Sequence, residues 1–210
     1  MNPTELPLTT VWVPRRAGAL AAARDLLLVA VAGIAAACIG QLLGRPMRLG
    51  LGVPLLGSVL ASLPRALVLL LVLARVNRLG AFTGAAVCEV LARAATGIAG
   101  LGLMAAVAPL VGGALADIAW HATRRWQPVG ARLVLTGAVL AGARVLAAWL
   151  LMAWFAFLAQ STVRPAAIVA LTIVGLDMLL GASAGLLVAP LRQSFDRWRV
   201  GKSRNKEPRG

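Results

Sequence analysis

Ionisable residues within long apolar stretches are the best candidates for chemistry in this sequence. They are few and lie singly, and the ones deepest in these stretches are Arg65, Glu89, Arg93, Arg144 and Asp177. An unpaired ion buried in apolar surroundings costs several kcal/mol even after relaxation. Such residues must therefore pair with one another or face a polar pocket that binds a charged or polar solute.

Glu89 and Arg93 are one helical turn apart, so they lie on one face of any helix that contains them. Arg144 could reach that face from a later apolar stretch. Trp149 could stack on a flat ring of a solute, although an aromatic belt at the membrane interface is the commoner reason for a tryptophan there. We predict that Glu89, Arg93, Arg144, Trp149 and Asp177 bind a solute, with structural salt bridges between helices as the alternative.

Other patterns that can indicate catalysis or metal binding are weak here. The segment 181–185 (Gly-Ala-Ser-Ala-Gly) matches a serine nucleophile elbow, but it lies in an apolar helical stretch and that motif needs a strand-to-helix turn. His121 has no second ligand at a helical offset such as i+4. Cys38 and Cys88 lie in apolar stretches and are expected to pack there. We predict no catalytic residue, no bound metal and no cofactor, and no ATP-binding loop occurs.

Composition determines the kind of element that must position these residues. The chain has 210 residues, of which 60% are hydrophobic and 13% charged, and its mean hydropathy is +0.86. Apolar runs of about 20 residues, the length a helix needs to cross the hydrocarbon layer, recur along it. We predict an all-α polytopic membrane protein, a compact bundle of six transmembrane helices.

Three parts of the chain follow from this interpretation. Residues 1–24 form a cytoplasmic N-terminal segment whose Ala-rich part is suited to an interfacial helix, 25–191 form the transmembrane domain, and 192–210 form a basic cytoplasmic tail. The predicted spans cover 25–43, 53–74, two short helices within 79–122 hinged around 97–102, 133–158 and 166–188. Gly44 to Arg48 is expected to end the first span, and Pro190 to precede the tail.

The charge distribution predicts the orientation. The formal net charge is +14, and the basic residues gather at the ends of spans and in the tail. More of them fall on one side: Arg75, Arg78, Arg124, Arg125 and Arg132 against Arg45, Arg48 and Arg164. This bias predicts an inner-membrane protein with both termini in the cytoplasm. The tail is expected to lie over anionic membrane lipid, and no nucleic acid is expected as a partner.

Small residues form a stripe along the first predicted span. Ala32, Ala36 and Gly40 recur at i, i+4 spacing, so they make one flat face that another helix can approach closely. That helix could belong to the same bundle or to another subunit.

With this layout and this stripe, the chain resembles the S components of energy-coupling factor (ECF) transporters, which are small substrate-capturing membrane subunits. Two segments carry the resemblance further, Arg78 to Thr83 and Gly112 to Asp117. They are similar to a branch of S components with a basic-Gly-Ala turn entering the third helix and a Gly-x-x-Ala-Asp sequence ending the fourth.

The resemblance implies a membrane-embedded substrate-binding subunit of an importer for a vitamin or related micronutrient, with no catalytic activity of its own. It also implies partners, a transmembrane coupling subunit and two ATPase subunits. By resemblance, the small-residue stripe of Ala32, Ala36 and Gly40 would contact the coupling subunit, and the solute pocket would lie near the outer side.

Two other functions remain open from the residues alone. A structural or assembly subunit of a larger membrane complex would use the same small-residue stripes and need no pocket. An integral-membrane enzyme acting on lipids would use buried acids such as Glu89, Asp117 and Asp177. A cavity lined by the candidate residues favours the carrier, a solid bundle favours the scaffold, and a divalent ion held between the acids favours the enzyme.

Overall fold

The computed structural model describes residues 15–51, 56–96, 102–125, 129–158 and 167–204. Within these ranges the chain is almost entirely helical, with no strand. The helices are α1 (Arg15–Leu51), α2 (Leu56–Val76), α3 (Ala81–Ala95), α4 (Gly102–Ala122), α5 (Val129–Leu158) and α6 (Ala167–Arg204), and the 3-10 turn Thr123–Arg125 follows α4. The all-α class is confirmed, and the described helices match the predicted number.

The six helices pack as a closed ring. Each helix has two principal neighbours, in the order α1, α2, α6, α5, α4, α3 and back to α1, and α2 also reaches α5 across the middle. The helices are rich in alanine and leucine, which favour helix, and alanine lets them approach closely. The core is made of small and aliphatic side chains, including Ala32, Ala36, Leu70, Leu73, Ala85, Leu133 and Ala184, together with Trp120.

Glycine permits the tightest contact, between α5 and α6. A Cβ atom on Gly137 would overlap the backbone of Gly181, and one on Gly181 would overlap Gly137 in return. One turn further along, a Cβ on Gly185 would come within 2.6 Å of the Leu133 carbonyl carbon. The segment 181–185 therefore packs helices together, in agreement with the sequence interpretation that rejected a catalytic elbow.

Two predicted boundaries differ from the structure. The apolar segment of α1 ends at Leu43, as predicted for the first span, but Gly44 to Arg48 do not break the helix, because α1 continues to Leu51. Helix α6 likewise continues through Pro190 to Arg204, so the first part of the predicted tail is helical. Proline removes one backbone donor and bends a helix without necessarily ending it. Helices α2 and α4 also contain internal prolines, Pro64 and Pro109.

Other boundaries agree more closely or lie outside the described residues. The predicted hinge around 97–102 falls between the end of α3 and the start of α4, and α5 begins four residues before the predicted 133 and ends at the predicted 158. Residues 15–24 of the predicted N-terminal segment belong to α1. Residues 1–14, the predicted outer connection at 160–165 and the end of the tail at 205–210 lie outside the described ranges.

Within the described ranges, three segments are long and apolar enough to cross a membrane: Ala21–Leu43, Val129–Leu158 and Ala167–Arg192. A shorter apolar segment, Val59–Leu73, lies in α2. Large apolar side chains cover much of the outer surface of the bundle; Ile168 is 80% exposed and Leu42 is 74% exposed. The most deeply buried acidic side chains are Glu89 and Asp177, which are 1% and 0% exposed. Hydrophobic groups outside and ions inside reverse the usual arrangement of a protein in water.

Candidate functional site

The predicted ionisable residues meet in the middle of the ring and form what we call the central ion cluster: Arg65, Glu89, Arg93, Arg144 and Asp177. Glu89, on α3, is 1% exposed and forms ion pairs with two of the arginines. The Glu89 carboxylate accepts hydrogen bonds from Arg93, one turn along α3, and from the Nη2 atom of Arg144 at 2.6 Å. Arg144 therefore reaches Glu89 from α5, as the sequence predicted.

The arginines of the cluster also contact helices other than the one that carries Glu89. Arg144 on α5 packs its aliphatic stem against Gly112 of α4, where a Cβ atom would overlap it. The Arg65 Nε atom on α2 donates to the carbonyl oxygen of Ala36 on α1 at 3.0 Å. The same guanidinium lies against Gly40, and it interacts electrostatically with Glu89. Small residues thus make the room in which these large cations are buried.

A cavity of about 30 Å³ adjoins the cluster. Its polar lining comes from Ser62 and Arg65 of α2, Arg144 of α5 and Asp177 of α6. The Ser62 hydroxyl donates to Asp177 Oδ1 at 2.6 Å, which ties α2 to α6. A water molecule needs roughly 10–15 Å³ of such space, so this cavity has room for about two water molecules.

Trp149 lies apart from this cavity. It follows Val145, a lining residue, by one turn of α5 toward the end at Leu158. Its indole Nε1 is buried and has no hydrogen-bond partner within the described part of the chain. Trp154, further along, is 60% exposed and packs beside Phe157, with ring centroids 6.3 Å apart. The structure therefore groups four of the five candidate solute-binding residues and leaves Trp149 outside them.

The small-residue stripe of α1 is covered by the chain itself. Ala32 and Ala36 are both 0% exposed, and Gly40 is buried beneath Arg65. The two helices packed against α1 are α2 and α3. Packing within the bundle, one of the two roles that the sequence left open, is the role seen here. Contact with a partner subunit stays a prediction, and would require this part of the bundle to open.

Two polar residues of the cavity, Ser62 and Arg65, were absent from the predicted binding set. Arg65 had a signal, since it is a charged residue inside an apolar stretch, but nothing indicated that it faced Glu89 rather than another helix. Ser62 had none, because a serine is common in apolar helices. Its contact with Asp177, 115 positions away in the sequence, depends on α2 packing against α6.

Asp117 belongs to a second polar group, at the other end of α3. Its carboxylate accepts hydrogen bonds from the backbone N–H groups of Phe82 at 3.2 Å and Thr83 at 2.9 Å, and from the Thr83 hydroxyl at 2.6 Å. These are donors of the first turn of α3, which have no partner within their own helix. Asp117 of α4 thus caps a neighbouring helix, and the negative charge also suits the positive end of the helix dipole.

This contact brings together the two segments that carry the resemblance to S components. Gly80, with φ of 84°, makes the turn into α3, and a Cβ atom on Gly113 would come within 2.8 Å of the Phe82 carbonyl oxygen. Gly113 and Asp117 therefore join α4 to the first turn of α3, whereas Gly112 packs against Arg144 of α5. Neither segment lines the central cavity.

No family model, no curated protein and no solved structure matches this chain. The chemistry of the site must therefore be argued from its own geometry. The central ion cluster contains three guanidinium groups and two carboxylates, so with all five ionised it carries one net positive charge. It offers hydrogen-bond donors and a positive potential to a small solute. Within the described residues, no three metal-ligating acidic, histidine or cysteine side chains come together.

Proposed function

We propose that this chain is a multi-pass inner-membrane protein that binds a small polar solute in its central ion cluster. In this proposal it is the substrate-binding subunit of an importer of the energy-coupling factor type. The observation that carries the proposal is a cluster of two buried acids and three partly buried arginines, beside a small cavity, inside a bundle with many exposed apolar side chains.

Membrane insertion is supported by what an aqueous solution would do to this surface. Full exposure of a leucine or isoleucine costs about 1.5–3 kcal/mol relative to burial. Among the described residues, 22 leucine and isoleucine side chains are exposed. Lipid removes that cost, while the ions avoid lipid because they point inward. Helices α2 and α4 each have 21 residues, or about 31 Å, close to the thickness of the hydrocarbon layer.

The orientation proposed is the one with both termini in the cytoplasm. In that orientation, α1 runs outward, so the end that carries Gly40 lies toward the outer side. The central ion cluster is then in the middle and outer part of the bundle, and Asp117 lies near the cytoplasmic end. This agrees with a solute site that is reached from outside.

The net charge of the cluster indicates the kind of solute. The formal net charge of +1, counted over the five ionised side chains of the cluster, favours a ligand with a carboxylate or phosphate group. Arg65 and Arg144 line the cavity and would contact that group, while Asp177 and Ser62 would bind a donor on the same molecule. Glu89 would hold Arg144 in position through the hydrogen bond it accepts. A vitamin-sized solute is much larger than the cavity, so binding would require the helices around it, α5 and α6 among them, to move apart.

The cavity's small size favours the second candidate function, a structural or assembly subunit of a larger membrane complex. Under that function, the central ion cluster is a set of structural salt bridges and no solute is bound. The two functions make opposite predictions about ligands, so one measurement separates them.

The test is to identify small molecules that co-purify with the protein in mild detergent, by mass spectrometry of the extracted ligands. The wild-type protein is expected to carry one compound with an anionic group. Arg144→Gln and Asp177→Asn are expected to lower its occupancy at least about tenfold, the loss of one charge-assisted contact. Thr172→Val is the matched control, because the exposed Thr172 hydroxyl only contacts the Ile168 carbonyl of its own helix.

Each variant must elute as the same monodisperse species as the wild type before its ligand content is compared. Recovery of no compound from the wild type, together with no thermal stabilisation by a panel of carboxylated vitamins, would contradict solute binding and leave the scaffold. The importer assignment has a separate test in affinity purification from native membranes. A coupling subunit and two ATPase subunits are expected, and their absence from a stable complex would count against that assignment.

A further inference from the structure

At the cytoplasmic end of the proposed orientation, Trp120 of α4 is the centre of a second buried site. Trp120 is 1% exposed, and its indole N–H donates to the Asn77 side-chain oxygen at 2.9 Å. The Arg132 guanidinium of α5 stacks on the indole, with its Cζ atom 3.5 Å from the ring centroid. Arg132 Nε donates to the Trp120 carbonyl oxygen at 2.8 Å. These contacts fix the guanidinium in one orientation.

Arg132 has a donor that these contacts do not use. The residue is 7% exposed, so more than nine-tenths of it is buried, and its Nη2 atom has no hydrogen-bond partner in the described ranges. Buried donors are nearly always satisfied, and a charged one without a partner calls for an explanation. A guanidinium held flat at one face presents its remaining N–H groups as a fork that matches the oxygens of a phosphate group.

Further positive charge surrounds this donor. The Cζ atom of Arg192, on α6, lies 5.7 Å from the centroid of the same Trp120 ring. Arg132 interacts electrostatically with Arg192 and with Arg124 of the 3-10 turn, and all of these charges have the same sign. The nearest acid along α4, Asp117, already accepts three hydrogen bonds from α3. Arg192 of α6 and Arg124 of the turn after α4 therefore lie close enough to Arg132 of α5 to add to its positive potential.

The depth of these cations matches that of lipid phosphates. The apolar segment of α5 begins at Val129, three residues or about 4.5 Å before Arg132 along the helix axis. The apolar segment of α6 ends at Arg192 itself. Both guanidinium groups therefore lie at the edge of the apolar region, where phospholipid headgroups begin. Basic pockets between helices at that level are suited to anionic lipid headgroups.

We propose that Arg132, Arg192 and Arg124 form a binding site for the phosphate group of an anionic phospholipid at the cytoplasmic edge of α4, α5 and α6. The unused Arg132 donor binds a phosphate oxygen, and the Trp120 ring fixes the guanidinium behind it. The proposal rests on membrane insertion but not on solute binding at the central ion cluster, which lies elsewhere in the bundle. The two can therefore fail separately.

The test uses native mass spectrometry of the full chain in detergent with dioleoyl phosphatidylglycerol or dioleoyl phosphatidylcholine. The wild type is expected to hold one phosphatidylglycerol at least about tenfold more tightly than phosphatidylcholine. Arg132→Gln and Arg192→Gln should each remove most of that preference. Arg75→Gln is the control, since Arg75 is an exposed cation in the last turn of α2, at the same end of the bundle.

Arg132 also supports Trp120, so its variant could fail to fold. In that case the test uses Arg192→Gln, whose lipid binding is compared with that of the wild type only if the two proteins have the same Tm. Equal binding of the two lipids by the wild type, or unchanged phosphatidylglycerol binding in a folded Arg192→Gln variant, would overturn the proposal. In a separate arm, inorganic phosphate is added without lipid. If phosphate at millimolar concentration stabilises the protein as much as phosphatidylglycerol and displaces it, the ligand is a soluble phosphate and the lipid assignment fails.

Discussion

Replacing Asp117 tests whether segments 78–83 and 112–117 are joined for structural reasons. The Asp117 carboxylate is the acceptor for two backbone N–H groups, of Phe82 and Thr83, and for the Thr83 hydroxyl. The first intrahelical bond of α3 is made by the next residue, Gly84, to Gly80. The Phe82 and Thr83 amides therefore depend on a residue 34 or 35 positions away.

The magnitude follows from the number and environment of these bonds. An exposed N-cap side chain is worth about 0.5–2 kcal/mol, and a buried donor left without a partner costs about 1–3 kcal/mol. Asp117→Ala leaves two such amides, so we expect the free energy of unfolding to fall by about 3 kcal/mol. Asp117→Asn keeps one acceptor oxygen but loses the charge, and should cost about 1–1.5 kcal/mol. Thr83→Val removes one hydroxyl bond and should cost about 1 kcal/mol.

The assay is equilibrium unfolding in mixed detergent micelles, followed by helical circular dichroism, with amide hydrogen exchange measured on the same samples. Protection of the Phe82 and Thr83 amides should fall by about the same free energy as global stability, or more, in Asp117→Ala. Thr172→Val serves as the control and should change stability by less than about 0.5 kcal/mol. In the double variant Asp117→Asn with Thr83→Val, the two costs should not add, because the residues share one bond.

The reasoning would be refuted by a specific combination. If Asp117→Ala lowered stability by less than about 1 kcal/mol and left both amides protected, another group must cap α3. Strict additivity of the Asp117→Asn and Thr83→Val costs would also show that the two side chains do not interact.

Three further outcomes are expected. Gly137→Val should lower the free energy of unfolding by about 2–3 kcal/mol in the same assay, because its side chain would overlap the Gly181 backbone. Gly175→Ala is its control. Nothing lies within 4 Å of a Cβ added there, so it should be neutral or stabilise by up to about 1 kcal/mol. Trp120→Phe loses the bond to Asn77 and weakens the stacking of the guanidinium, so its unfolding free energy should fall by about 1–2 kcal/mol. Cys38 is exposed on an apolar face of α1. In intact vesicles a water-soluble maleimide should label it at least about tenfold more slowly than after unfolding in detergent, since a water-soluble reagent does not enter the hydrocarbon layer. Fast labelling would contradict membrane insertion.

The sequence alone determined the class of structure. The sequence has apolar runs near 20 residues with few ions among them. A single run of this length in lipid can satisfy its own backbone hydrogen bonds only as a helix, so the all-α prediction needed no knowledge of packing. The same local reasoning placed Glu89 and Arg93 on one face of α3, because their spacing is a property of the helix. It also predicted that segment 181–185 lies in a helix, as observed. It was wrong that Gly44 to Arg48 break a helix, since α1 continues to Leu51.

Only the tertiary structure decided which residues share a site. Asp117 and Asp177 are equivalent in the sequence, since both are single acids in apolar stretches, yet one caps α3 and the other lines the central cavity. Arg132 was predicted in a cytoplasmic connection, yet it lies in α5 and is buried against Trp120. The separation of the two acids follows from the order in which the helices close the ring, with α2 beside α6 and α3 beside α4. Helix periodicity fixes a side chain's direction about its own axis, whereas the partner it meets depends on contacts between positions that are far apart in the chain.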